Sequence, residues 1–180
     1  MHDPPSEAPG SLEQVRTLLN SWRIPHDTRE PTDDLPGWFA DPAEWAARLP
    51  DVPRPAPDEV DALLALRDDL RAELGEAAPE GLNVWLAAHA VVVRVDPDGA
   101  VGHVGDGAVG DLLALVTAAV AAGWWSRLKA CPDCRHVFYD HSRNRSRTWC
   151  GMYAGSVNGR ACGSIAKVRR YRSRQGSSTT

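Results

Sequence analysis

Apolar residues first recur at helical spacing at Leu12, Val15, Leu18 and Leu19. This predicts a helix from about Ser11, its cap, to Trp22. Residues 24–37 hold three prolines and several acids and read as a loop. Asp41-Pro42 predicts a helix start, with Asp41 as N-cap and Pro42 at the first helical position. Trp45 and Leu49 follow on one face, and four prolines from Pro50 to Pro57 end it. The longest amphipathic stretch runs from Asp58 to Leu74, with Val60, Leu63, Leu64, Leu66, Leu70 and Leu74 as its stripe and Gly75 as its stop. A short helix is predicted from Leu82 to Ala88. Ala90 to Val95 is β-branched and strand-like, Asp98-Gly99 marks a tight turn, and Val101 to Val104 returns as a second strand. Val109 to about Leu128 is predicted as a helix that runs into the first cysteine.

The pattern is that of an α+β protein, mainly helical. A helical N-terminal domain over 11–126, with one β-hairpin near 90–105, precedes a small C-terminal module over 127–174 that ends in a basic helix. Residues 1–10 and 175–180, rich in Pro or in Gly, Ser and Thr, are expected to be disordered tails. Hydrophobic residues make up 43% of the 180, enough for a packed core. Trp22, Trp38, Trp45, Trp85, Trp124 and Trp125 are expected mainly in that core rather than around a ligand. No stretch approaches the ~20 continuous apolar residues of a membrane span. The N-terminus has neither a basic start nor an apolar centre, so no secretion signal is expected. A cytoplasmic location follows, with thiols kept reduced.

The net charge of −4 hides a split. Segment 127–174 holds 12 basic residues and two acids, Asp133 and Asp140, for +10; the remainder holds eight basic and 22 acidic residues, for −14. Such asymmetry points to an anionic partner for one end. The competing explanation is that the two halves neutralise each other.

The chemistry lies in the basic segment. All four cysteines fall within 32 residues. Cys131-Pro-Asp-Cys134 is a C-x-x-C knuckle, which lets two thiolates face one point. Cys150 and Cys162 follow after 15 and 11 residues. Four soft thiolates with none left over fit one closed tetrahedral Zn2+ site, which is structural because it has no open position. A redox pair needs its C-x-x-C at a helix start after a strand, disulfides do not suit a reducing compartment, and iron–sulfur spacings are tighter. His136 and His141 are alternative ligands in place of Cys162, but the four-cysteine set is already complete. The N-terminal domain has no phosphate-binding glycine loop, no nucleophile elbow and no metal-binding histidine pair. His89 and His103 read as surface or partly buried histidines, and no enzymatic activity is expected.

The residues around the cysteines carry a resemblance. Cys131 and Cys134, Phe138 to Asn144 (Phe-x-Asp-x-Ser-Arg-Asn), Trp149 to Met152 (Trp-Cys-x-Met), and Cys162 to Lys167 leading into a basic helix recur in this order in the CGNR zinc finger, which the segment resembles. In layout, the acidic domain in front resembles the ABATE domain of stress-induced transcription regulators. Two departures stand out. Ser164 and Ile165 occupy the places of the family's Asn and Arg. The stretch between Cys150 and Cys162 is longer around Ala154 to Ala161 and contains Asn158-Gly159-Arg160.

Lys167, Arg170 and Arg174 fall on one helical face, flanked by Arg169 and Arg172, and Arg143, Arg145 and Arg147 alternate in the loop before Trp149. Zinc would clamp this loop beside the helix, so these eight cations are the candidate nucleic-acid contacts, with Asp140 expected to hold a loop arginine. The resemblance implies DNA rather than RNA. The expected function is a zinc-binding, DNA-binding transcription regulator. The alternative is a zinc-stabilised adaptor that docks an acidic partner protein. The layout leaves room for a homodimer and for a small-molecule effector at the N-terminal domain, and no membrane partner is expected.

Overall fold

The computed structural model describes residues 6–152 and 161–176. Asn158-Gly159-Arg160 and the last four residues lie outside the described residues. The chain is α+β and mostly helical. Helix α1 (Leu12–Leu19) leads into a short antiparallel hairpin of β1 (Trp22–Arg23) and β2 (Thr32–Asp33). Helices α2 (Leu35–Ala40), α3 (Pro42–Arg48), α4 (Val60–Ala72) and α5 (Leu82–Ala88) follow, then a second hairpin, β3 (Val92–Val95) and β4 (Val101–Val104). Helix α6 (Gly107–Ala121) and a 3-10 turn (Trp125–Arg127) precede the third hairpin, β5 (Leu128–Ala130) and β6 (Val137–Tyr139), and α7 (Cys162–Gly176) closes the described chain. No described helix is long and apolar enough to cross a membrane.

Helix α6 is the centre of the larger core because it is apolar on most of its circumference. Val109, Leu112, Leu113 and Val116 are fully buried, against α1 and α4, whose stripes supply Val15, Leu18, Leu19, Leu63 and Leu66. Each such side chain contributes about 1.5–3 kcal/mol by leaving water. Trp38, Trp45 and Trp125 are buried in the same core, and Trp45 Nε1 donates to the Val52 carbonyl at 2.9 Å. Asp41 caps α3 as predicted, its carboxylate accepting from the backbone N–H groups of Ala43 and Glu44. Buried Arg67 of α4 ties in the first hairpin through Asp33 (2.6 Å) and Ser21 Oγ (3.1 Å). Burial raises the Asp33 pKa, but the bonds from Arg67 and the Leu35 N–H outweigh it, and the net shift is downward.

Four sequence expectations change. Helix α6 stops at Ala121 instead of reaching Leu128. Gly123 adopts φ +69°, Trp124 N–H bonds the Ala119 carbonyl at 2.8 Å, and Gly123 N–H bonds that of Val120 at 3.0 Å. This is a Schellman stop, and only glycine takes that left-handed position without strain. The C-x-x-C therefore follows a strand. Residues 24–37 are not all loop: Thr32–Asp33 pairs with β1, and Leu35–Ala40 is helical with Pro36 in its first turn, where a missing N–H costs nothing. Ser11 caps α1 by position only. Its side chain makes no capping bond, and Glu13 instead accepts the Ala8 N–H at 2.7 Å. Finally, Ser6 and Ala8, from the stretch expected to be disordered, are buried. Ser6 O accepts the Tyr139 N–H at 2.9 Å, so the segment continues the edge of β6.

Candidate metal centre and basic surface

The β5–β6 hairpin has two different faces because strand side chains alternate. Leu128 lies opposite Tyr139 and Ala130 opposite Val137; Leu128, Val137 and Tyr139 join the larger core. Lys129 and Phe138 face the other way, and Phe138 is fully buried beside the cysteines in a second, smaller core with Trp149 at its margin. The hairpin turn carries the knuckle. Cys131 N–H bonds the His136 carbonyl at 2.9 Å, Arg135 N–H bonds the Cys131 carbonyl at 2.8 Å, and Arg135 takes φ +60° to close the turn.

Asp140 shapes the next segment. Its fully buried carboxylate accepts from Lys129 Nζ at 2.7 Å, from Ser142 N at 2.9 Å and from Arg147 N at 3.0 Å. The ion-pair partner is thus Lys129 on the strand, not the side chain of a loop arginine. Arg147 is also turned inward. Its guanidinium lies 4.7 Å from the Phe138 ring centroid, donates to Trp149 O at 3.0 Å and to Ser6 Oγ at 3.1 Å, and also reaches Cys150 O. These contacts deliver Cys150 to the knuckle. Cys162 arrives from the first residue of α7, where the positive end of the helix favours a thiolate. Gly163 N–H bonds the Gly151 carbonyl at 3.0 Å, and a Cβ on Gly163 would meet Met152 Sδ at 2.0 Å. The close approach of α7 to the Trp149–Met152 segment explains the glycine.

The four sulfurs lie within 4.8 Å of one another, and all four cysteines are buried. Cys134 and Cys150 Sγ are 3.4 Å apart, and Cys150 and Cys162 3.8 Å. A disulfide needs about 2.05 Å. A tetrahedron with Zn–S bonds of ~2.3 Å places its sulfurs about 3.8 Å apart. Four thiols this close also oppose one another's ionisation. Hydrogen bonds from Cys134 and Cys150 hold Cys131 far below the usual thiol range. Cys150 is pushed far up by Cys131 and Cys134, and Cys162 is raised by burial and then by the charge at Cys131. A divalent soft-to-borderline cation at the centre removes that conflict, and the donor set fits one structural zinc. Bound there, zinc would cross-link the knuckle, the Cys150 segment and the root of α7. His136 and His141 are not part of the cluster. His136 is held neutral, its pKa lowered to about 4 by burial and by Arg16, and His141 Nε2 bonds Glu7 O at 2.7 Å.

The other predicted contact residues divide. Arg143 and Arg145 are exposed, with Arg145 Nη1 on Ser126 Oγ at 3.0 Å. From Lys167 to Arg174 every residue of α7 is exposed, which sets Lys167, Arg169, Arg170, Arg172 and Arg174 on the surface; Arg169 is 3.5 Å from Asp133. Sequence reasoning missed the residues that seat the module. The Asn20 side chain clasps Val137, donating to its carbonyl at 2.9 Å and accepting its N–H at 2.8 Å. Arg16 also donates to that carbonyl, Arg29 to Asp133 O and Arg71 to Arg135 O. Nothing in a helix C-terminal Asn or an Arg of the helical half signals a partner 64 to 121 residues away.

A four-thiolate knuckle joined to a loop and a helix defines a zinc-finger module. Residues 127–175 match the family model of the CGNR zinc finger. No curated protein matches the chain.

Proposed function

We propose that the zinc module binds double-stranded DNA and that the chain is a cytoplasmic, non-enzymatic transcription regulator. In this reading the N-terminal part is an ABATE-like domain that senses a signal, such as a small-molecule effector, or mediates dimerisation. The observation that carries the reading is the state of α7. It is rooted at Cys162, yet from Lys167 to Arg174 it is exposed on every side and bears five cations. A helix this exposed and this basic suits the phosphates flanking a groove. The contacts between the halves also favour an external anion. Arg16, Arg29 and Arg71 of the acidic half donate to backbone carbonyls of the module, and these contacts engage none of the cations of α7, of which Arg169 lies 3.5 Å from Asp133.

The test is duplex affinity, by fluorescence anisotropy, against salt. Four to five phosphate contacts predict a slope of about −4 in log K against log salt. No binding at low ionic strength, or a flat response, would sink the reading. One observation favours a protein-docking adaptor instead: Val168 and Tyr171 of α7 are 48% and 63% exposed among the cations. A pull-down that recovers an acidic protein and no nucleic acid would support that alternative.

A further inference from the structure

A cleft of about 380 Å³ opens where the C-terminal end of α4 meets the zinc knuckle. That is roughly ten times the ~30 Å³ share of one water molecule, ample for a small hydrated anion. Four cations line it, Arg71, Lys129, Arg135 and Arg147, together with the Thr148 hydroxyl, and no carboxylate does among the described residues. The cations differ in what they have left to offer. Lys129 is neutralised by Asp140 and has given its protons to Asp140, Arg145 O and Arg147 O. Arg147 is committed to Trp149, Cys150 and Ser6, so it supplies field rather than hydrogen bonds. Arg71 uses two of its five donors, on Leu19 O and Arg135 O. The side chain of Arg135 is exposed.

The balance of charge favours an anion. The end of α4 contributes about half a negative charge, against the guanidinium groups of Arg71 and Arg135 in the wall. Burial first, then the charges of Arg135 and Arg67, lower the Arg71 pKa to about 10, against the opposing pull of Asp68 and Asp33. An arginine whose protonated form is this disfavoured gains when a negative ligand arrives.

We propose that this cleft is a binding site for a phosphate-class anion, held between Arg135 of the knuckle and Arg71 of α4. The site does not depend on the DNA reading. Its occupant is either a phosphodiester of a nucleic acid or a free phosphate or phosphomonoester. In both cases the anion links the helical core to the zinc module.

The experiment titrates the zinc-loaded full chain with inorganic phosphate by calorimetry, with chloride holding ionic strength constant. Saturable binding is expected, weakened about tenfold or more by Arg135→Asn, since a charge-assisted contact is lost. Asn tolerates the left-handed backbone at position 135. Arg71→Gln should weaken binding similarly. Because Arg71 also stacks on Trp22, at 4.8 Å, the exposed Arg135 carries the decision if the Arg71 variant fails to fold. A heat that never saturates, or an Arg135→Asn titration equal to wild type, overturns the proposal. A second arm identifies the source. Phosphate that displaces a short duplex, with Arg135→Asn weakening both ligands, supports the site with a phosphodiester as occupant. Phosphate that saturates while duplex binding is absent or indifferent to Arg135→Asn supports the site with a free phosphate, and in that case only the DNA reading fails.

Discussion

Two hairpins of nearly equal size meet opposite fates in this molecule. The four-residue strands β3 and β4 carry five valines, and four of them, Val92, Val93, Val95 and Val101, are more than half exposed, on both faces. The three-residue strands β5 and β6 are buried or half-buried throughout, one face against the helical core and the other against the cysteines. Both pairs hold strong strand formers, five valines in the first and Val137, Phe138 and Tyr139 in the second. What separates them is what each face meets. A short two-stranded sheet is marginal by itself, so β5–β6 draws its stability from two cores while β3–β4 hangs from its own turn and the start of α6. β-propensity reports fit to a half-buried surface; it does not say whether that surface will be covered.

The largest effect should come from removing the metal from one of those cores. Structural zinc contributes on the order of ~10–16 kcal/mol to folding of a small finger. Cys134→Ser should abolish stoichiometric zinc, and residues 140–152 and α7 should lose their protection from proteolysis. The outer face of β5–β6, through Leu128, Val137 and Tyr139, should hold the hairpin and α1–α6 together. Wild-type protection in the variant would remove zinc from the account. Cleavage throughout α1–α6 would show that the two cores are one.

What the sequence made legible follows the same division. Asp41-Pro42, Leu82–Ala88 and Val101–Val104 lie where they were read, because capping, periodicity and β-branching are local signals. The four cysteines were legible because their spacing is the chemistry. Leu128-Lys-Ala130 was not. Three residues are too few to show alternation, and the strand is specified by its burial between two cores, a tertiary fact. The misread end of α6 had a local signal, Gly123, that was passed over in favour of the apolar run. Burial of Ser6 and Ala8 had none, since a Pro-rich start carries no trace of the β6 edge that receives it. Arg147 fits the alternating row Arg143, Arg145, Arg147, but the buried ring of Phe138 and the carbonyls of Trp149 and Cys150 turn it inward.

A smaller effect separates the two sources of order inside the zinc module. Asp140→Asn keeps the shape but leaves Lys129 without its counter-charge and turns an amide donor toward N–H groups. The expected loss is about 3 kcal/mol, the low end for breaking a buried pair, because Lys129 is partly exposed. Burial raises the Asp140 pKa, but the bonds from Lys129 and Ser142 more than reverse this, and the net shift is downward. The folded pKa therefore lies below the unfolded value of ~3.9. The carboxylate's contribution is complete above about pH 5 and disappears as pH falls through the folded value. Thiolates gain protons and release zinc in both proteins, so the difference between wild type and variant isolates Asp140. Denaturant titrations should show a constant gap above about pH 5 that narrows below pH 4. A gap independent of pH down to 3 would mean that the carboxylate's charge is irrelevant.

The smallest effect uses one substitution in both hairpins. Val137→Thr keeps the shape and the β-branch but places a hydroxyl in a fully buried site of the larger core. Its cost should be about 1–3 kcal/mol, the desolvation of an unpaired polar group. Val95→Thr makes the same change where the side chain is 68% exposed and Val101 is its cross-strand neighbour. There the hydroxyl keeps its water, Thr fits a strand as well as Val does, and the expected change is within about 0.5 kcal/mol. Thermal melts of both variants at two protein concentrations measure the contrast. If Val95→Thr instead costs more than about 1 kcal/mol, with a midpoint that falls on dilution, then β3–β4 is covered by a second copy of the chain. The two hairpins would then obey one rule, each stable because both of its faces are buried.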